Sequence, residues 1–251
     1  MSDSVEIPAI EAVRADRAAL LEIGARLTDE DWRAPSGCAG WSVQDLVTHL
    51  ANLFWLAVDA QQLPDTTGMP TERAQDVAVG ARRGRSPAEV FEDYEKVSEK
   101  GLGLIAELAA LDVEMPLGGD FGTYSSRVLP CAFAFDHYTH IRADLFKPRG
   151  PLDGEPPPSD ELRVAAALGW IEAALPQQNP AAVAACTLDL QITGTGARVI
   201  KFGSGGPAAS ITSDAPALVR WITHRGSWAE LGVQASGDEQ ALGTARTLKV
   251  F

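Results

Sequence analysis

The sequence predicts two domains: an all-α four-helix bundle over residues 1–150, then a smaller α+β domain over residues 157–251. Three observations carry this. Four long segments before residue 147 place apolar residues at helical spacing, and none alternates like a strand. Residues 147–158, KPRGPLDGEPPP, are the clearest linker in the chain, rich in proline and glycine. Beyond them, short β-rich runs punctuated by glycine alternate with helical patterns, the texture of an α+β module.

The first helix spans residues 8–27, with Ile10, Val13, Leu20, Leu21 and Leu27 at helical spacing. The stretch TDEDWRAPSGCAG follows as a turn-rich connection. Residues 40–59, GWSVQDLVTHLANLFWLAVD, form the second helix. Ser42 is its N-cap, Asp45 sits three residues on, and Trp41 and Leu46 occupy the staple positions. Leu46, His49, Leu53 and Leu56 share a mostly apolar face, while Thr48, Asn52, Trp55 and Asp59 make a mixed, partly polar stripe. Residues 61–85 read as a long loop with a short helix near Glu72–Val79. Ser86-Pro87 opens the third helix, which runs to about Leu111 and is weakened by Gly101 and Gly103. DVEMPLGGDFGTY is a loop; Gly118, Gly119 and Gly122 make no phosphate-binding fingerprint, because no strand precedes them and the spacing is wrong. The fourth helix covers Ser126–Phe146 and ends before Pro148.

After the linker, DELRVAAALGWIEAAL is a helix. CTLDLQIT and RVIKFG are strands joined by GTGA, and AASIT is a third strand. DAPALVRWITHRG is a helix capped by Asp214. LGVQASG is a fourth strand and GDEQALGTARTL a closing helix.

The chain is acidic, with a formal net charge of −13, which argues against a nucleic-acid backbone or an anionic membrane surface as partner, though a local basic patch could still exist. The run Arg82, Arg83 and Arg85 reads as solvated loop charge. No segment reaches the ~20 apolar residues of a membrane span, and MSDSVEIPAI has no secretory pattern. The three cysteines, Cys38, Cys131 and Cys186, are far apart and odd in number, so a reduced cytoplasmic protein without a disulfide framework is expected.

Chemistry concentrates in FDHYTHIRADLF. Asp136 and His140 are four apart and project from one face of the fourth helix. A carboxylate and an imidazole on an otherwise apolar face are expensive unless paired. Two solutions are open: an Asp–His ion pair, or a metal with His49 from a facing helix as third ligand. His137 competes from about 100° around the same helix, without an acidic neighbour four residues away. Asp144, four beyond His140, is either an acceptor orienting that imidazole or a surface partner for Arg142 or Lys147. Cys131 reads as core.

GWSVQDLVTHLA after LTDEDW, with acidic-xxx-His-xxx-Asp-Leu on a later helix, resembles the mycothiol-dependent maleylpyruvate isomerase family. The resemblance extends through ITSDAPALVRWITHRG and GDEQAL. It implies a DinB-like four-helix domain joined to an α+β domain, and a metal triad at His49, Asp136 and His140. The family commonly has glutamate where this chain has Asp136, one methylene shorter. The resemblance further implies a divalent metal, Zn²⁺ foremost, and mycothiol as thiol cosubstrate. The activated thiolate would attack a small electrophile in isomerisation or S-transfer. It also implies an active-site arginine, for which the matching helix offers Arg220 and Arg225; Arg225, at its C-terminal end, is the expected one, to hold a substrate carboxylate or the thiol. A monomer or homodimer is expected. A metal–water hydrolase or lyase and a non-catalytic metal-binding or regulatory protein are the alternatives.

Overall fold

The computed structural model describes residues 8–118 and 121–251. The first seven residues of the expected N-terminal domain, with most of MSDSVEIPAI, and Gly119 of the glycine-rich turn lie outside the described residues.

Helices α1 (Pro8–Gly24), α3 (Val43–Asp59), α5 (Pro87–Leu111) and α6 (Leu129–Thr139) pack together in the N-terminal part. Their shared core includes Leu20, Val47, Leu50, Phe54, Tyr94 and Ile105. Complete capping boxes start α3 (Ser42 with Asp45) and α5 (Ser86 with Glu89); such a cap contributes about 1 kcal/mol.

The structure departs from the sequence reading in several places. A short helix α2 (Asp29–Arg33) stands in the turn-rich connection, nucleated by a Thr28–Asp31 capping box. On α3 the interior is rotated from the expected face: Thr48 and Asn52 are buried, whereas Leu56 is 55% exposed. Helix α4 (Thr71–Gly80) matches the short helix expected in the long loop. The arginine run is solvated only in part, with Arg83 and Arg85 exposed. Arg82 is buried, bonded to Asp93 at 2.6 Å; Arg83 bonds Asp45 and Arg85 bonds Asp93. The expected loop before α6 holds a hairpin, β1 (Glu114–Leu117) against β2 (Gly122–Ser125), whose four-residue strands are too short to show a period.

The fourth helix is not uniform either. A 3₁₀ turn (Ser126–Val128) precedes α6, and a π turn (His140–Leu145) replaces its last stretch. The chain then doubles back, with Leu152 N donating to Leu145 O and Gly150 N to Phe146 O. A Cβ at Gly150 would lie 2.2 Å from the Leu145 carbonyl carbon, so only glycine fits this return. The expected linker is therefore tied down in part: Gly150 and Leu152 are buried, and Arg142 donates to the Pro158 carbonyl.

The C-terminal part opens with α7 (Glu161–Gln178), capped by Asp160, and the short α8 (Pro180–Ala185). A mixed four-stranded sheet follows in order β4-β3-β5-β6. Here β3 is Leu188–Thr193, β4 Arg198–Phe202, β5 Ala209–Asp214 and β6 Gln234–Gly237. β3 runs antiparallel to β4 and parallel to β5. The parallel step comes from the long return between β4 and β5, beside the tight GTGA hairpin. Helices α9 (Ala215–Ile222) and α10 (Glu239–Ala245) complete it. A second core gathers Trp170, Leu190, Ile211, Leu218 and Trp221. Helix α7 serves both cores, with Ala166 in the first and Leu168 in the second.

Candidate metal centre

The α3 backbone delivers His49 to the interior, at 5% exposure, with the Trp41 ring tilted against it at 5.2 Å and the His140 ring edge-on at 5.0 Å. His49 Nε2 lies 2.9 Å from Asp136 Oδ2, and His140 Nε2 lies 3.5 Å from Asp136 Oδ1. The three residues expected from the sequence thus converge, and their ligand atoms fall within 4.8 Å of one another. The imidazoles are 6% and 9% exposed and Asp136 24%, so the cluster opens to solvent on the carboxylate side.

What surrounds the rings decides their chemistry. His49 Nδ1 lies 3.1 Å from the side-chain carbonyl of Gln75, on α4. His140 Nδ1 lies 2.9 Å from Asp144 Oδ2. Both partners are acceptors, so both Nδ1 atoms carry hydrogens and both Nε2 atoms turn toward Asp136. In their neutral forms, two Nε2 lone pairs would face a carboxylate, an arrangement that needs a cation. A proton can serve. Burial works against charging His140, but Asp136 and Asp144 outweigh it and hold its pKa well above the usual histidine range. Burial likewise works against ionising Asp136, and the two imidazoles outweigh it, keeping that carboxyl well below the usual range. A divalent ion satisfies the same donor set: two imidazoles and a carboxylate, with an outer acceptor on each ring. The residues present fit such an ion. Aspartate at 136 reaches both rings despite its missing methylene.

Asp144 is fully buried and belongs to His140, not to the surface. Arg142 pairs instead with Asp16, and Lys147 with Asp153. Arg225, just past α9, extends its guanidinium to Asp144 Oδ2 through Nη2 at 2.7 Å and Nε at 2.8 Å. Its Nη2 also lies 3.4 Å from His140 Nδ1 and 3.8 Å from Cys38 Sγ. Cys38, His140 and Asp144 form a second potential ligand group, but its cation is the arginine. The approach of Gly37 is equally tight: its N–H donates to the Asp144 carbonyl at 2.8 Å, and a Cβ there would lie 2.7 Å from Asp144 Oδ1.

Sequence reasoning missed Gln75 and Cys38. Gln75 lies in a polar loop helix with nothing to mark it, and Cys38 reaches the site only through a turn. His137 is a core residue: its Nδ1–H donates to the Phe133 carbonyl and its Nε2 meets Tyr94 OH. His224 is exposed, in a left-handed conformation after α9. Cys131 is wedged between the two cores, and burial pushes its thiol up to about 11.

Helices that bring two imidazoles and a carboxylate together, with a following α+β unit reaching in through an arginine, define a class of helical proteins with a candidate metal centre. Residues 13–135 match the family model described as mycothiol maleylpyruvate isomerase N-terminal domain, and this N-terminal part of the chain belongs to that family. The fold is similar to the crystal structure of a mycothiol-dependent maleylpyruvate isomerase, with a TM-score of 0.59 at 16% identity over 92% of both chains. A histidine-to-alanine mutant of that protein aligns with the same values. No curated protein sequence gives a significant match.

Proposed function

We propose that this chain is a metal-dependent enzyme of the maleylpyruvate isomerase type, with His49, Asp136 and His140 as ligands, Zn²⁺ as metal and mycothiol as thiol cosubstrate. One observation carries the reading: two Nε2 atoms, each fixed by an acceptor on the far side of its ring, converge on one carboxylate. A bound divalent ion would supply Lewis acidity that lowers the pKa of a thiol beside it.

The chain's own residues prepare the place. Gln75 and Asp144 hold the rings in the ligating tautomer. Arg225 neutralises Asp144 and keeps that acceptor in place, so we assign it a positioning role; its remaining edge, now donating to the Thr223 carbonyl, is what is left for a substrate carboxylate. Trp41 shields one face of His49. The nucleophile arrives with the cosubstrate, and none of the three cysteines is required. The family match and the structural neighbour, a mycothiol-dependent maleylpyruvate isomerase, support isomerisation as the reaction, with S-transfer as the alternative.

We further read the chain as a DinB-like four-helix domain, residues 1–150, and an α+β domain, residues 157–251, acting on small molecules as a monomer or homodimer. Among the described residues no helix is long and apolar enough to cross a membrane. With three free cysteines, a reducing cytoplasm suits the protein, and its charge of −13 suits neither nucleic acid nor an anionic surface.

Assaying tag-free, Zn²⁺-loaded protein on maleylpyruvate with and without mycothiol tests this. Thiol-dependent turnover is expected. Thiol-independent turnover would favour metal–water chemistry, and no turnover by a metal-replete protein would favour a binding role.

A further inference from the structure

A cavity of about 220 Å³ lies between the π turn, the proline-rich return after it and α9. None of His49, Asp136, His140 or Arg225 lines it. Four cationic side chains do, namely Arg142, Lys147, Arg149 and Arg220, and no carboxylate does. Three of the four are committed elsewhere: Arg142 to Asp16, Lys147 to Asp153, and Arg149 to Asp144 and the Gly37 carbonyl. Arg220 has no hydrogen-bond or ion-pair partner among the described residues, and its Nε is buried. Thr139 is only 3% exposed, and its hydroxyl also lacks a partner. The Arg142 Nε is a third buried donor left unmatched. Buried donors without acceptors cost free energy, and native structures rarely keep several on one cavity unless something accepts from them.

We propose that this cavity binds a small organic carboxylate with an apolar body. Arg220 presents a planar fork to the carboxylate, and Thr139 adds a hydroxyl donor. Phe146, Val219 and Pro216 supply apolar walls for the rest of the ligand. The volume, below the ~300–1,000 Å³ of common ligand pockets, limits it to a compact molecule. In a chain of net charge −13, a recess lined by four cationic side chains, one of them with no bonded carboxylate, concentrates the local field for an anion. The inference is independent of the metal centre.

Benzoate, with benzamide as its neutral isostere, is a suitable probe for calorimetry on the full chain. Saturable one-to-one benzoate binding is expected, with benzamide and inorganic phosphate at least about tenfold weaker. Arg220→Gln should weaken benzoate at least about tenfold and Thr139→Val several-fold. Unchanged circular dichroism and melting temperature would establish that both variants fold, and Arg225→Gln reports any benzoate held beside His140 instead. No saturable binding to the parent protein would overturn the proposal, as would benzoate affinity indifferent to Arg220→Gln or lost only in Arg225→Gln. Phosphate binding as tightly as benzoate would overturn the ligand class.

Discussion

Asp16 is 1% exposed on α1, and two guanidinium groups converge on it. Its carboxylate accepts from Arg142 Nη1 at 3.1 Å, Arg142 Nη2 at 2.8 Å and Arg163 Nε at 2.7 Å. Arg142 lies in the π turn and Arg163 on α7, so one side chain ties the first helix to the segment that carries His140 and to the start of the α+β part. Replacing it by asparagine keeps the volume, removes the charge and turns an NH₂ group toward guanidinium donors. Three charge-assisted bonds at ~1.5–3 kcal/mol each would overstate the loss, because they share one carboxylate. Breaking a buried pair from one side costs about 3–5 kcal/mol, since the partner charges stay buried. Asp16→Asn should therefore lower the unfolding free energy by about 3–5 kcal/mol. Urea titration followed by tryptophan fluorescence would read it. Because the pair is buried, the loss should persist at ~1 M salt. A loss under ~1 kcal/mol, or one that vanishes in salt, would refute the reasoning.

Gln75→Leu removes the acceptor behind His49 and should weaken Zn²⁺ binding by about 10–100-fold in competition titrations, with little change in melting temperature. Because Asp136 and Asp144 hold the His140 pKa well above the usual histidine range, Zn²⁺ uptake should release protons and tighten as pH rises, which calorimetry in buffers of different ionisation heat would detect. Cys131, pushed to about 11 by burial, should resist iodoacetamide at pH 8 in the native protein and react promptly after unfolding. A Cβ at Gly101 would lie 2.6 Å from the Phe54 ring and 3.0 Å from Phe54 Cβ, whereas one at Gly103 meets nothing within 4 Å. Gly101→Ala should destabilise by about 1–3 kcal/mol through overpacking, and Gly103→Ala should stabilise by up to ~1 kcal/mol through helix propensity, both by denaturant melts.

Much of this molecule was legible in its residues. Caps at Ser42, Ser86 and Asp214 mark helix starts because the side chain that signals them also makes the bond. The Asp136–His140 spacing showed a pair needing a partner, and the fold supplies His49. What escaped the sequence depends on non-local packing. The interior of α3 is set by what surrounds it, which buries Asn52 and leaves Leu56 outside. The π turn follows from the tight return at Gly150, invisible to a periodicity that assumes 3.6 residues per turn. Arg82, in a run that looks solvated, finds Asp93 eleven residues away on a helix packed beside it.

The central claim is that His49, Asp136 and His140 hold a divalent ion. Tag-free protein stripped with chelator, then titrated with Zn²⁺ and quantified by mass spectrometry after desalting, tests it directly. The account predicts one equivalent retained by the parent chain and well under one by His49→Ala and by Asp136→Ala, each still folded by circular dichroism. A folded parent chain that retains no Zn²⁺, or variants that retain as much as the parent, would contradict it and leave the cluster as a buried Asp–His ion pair.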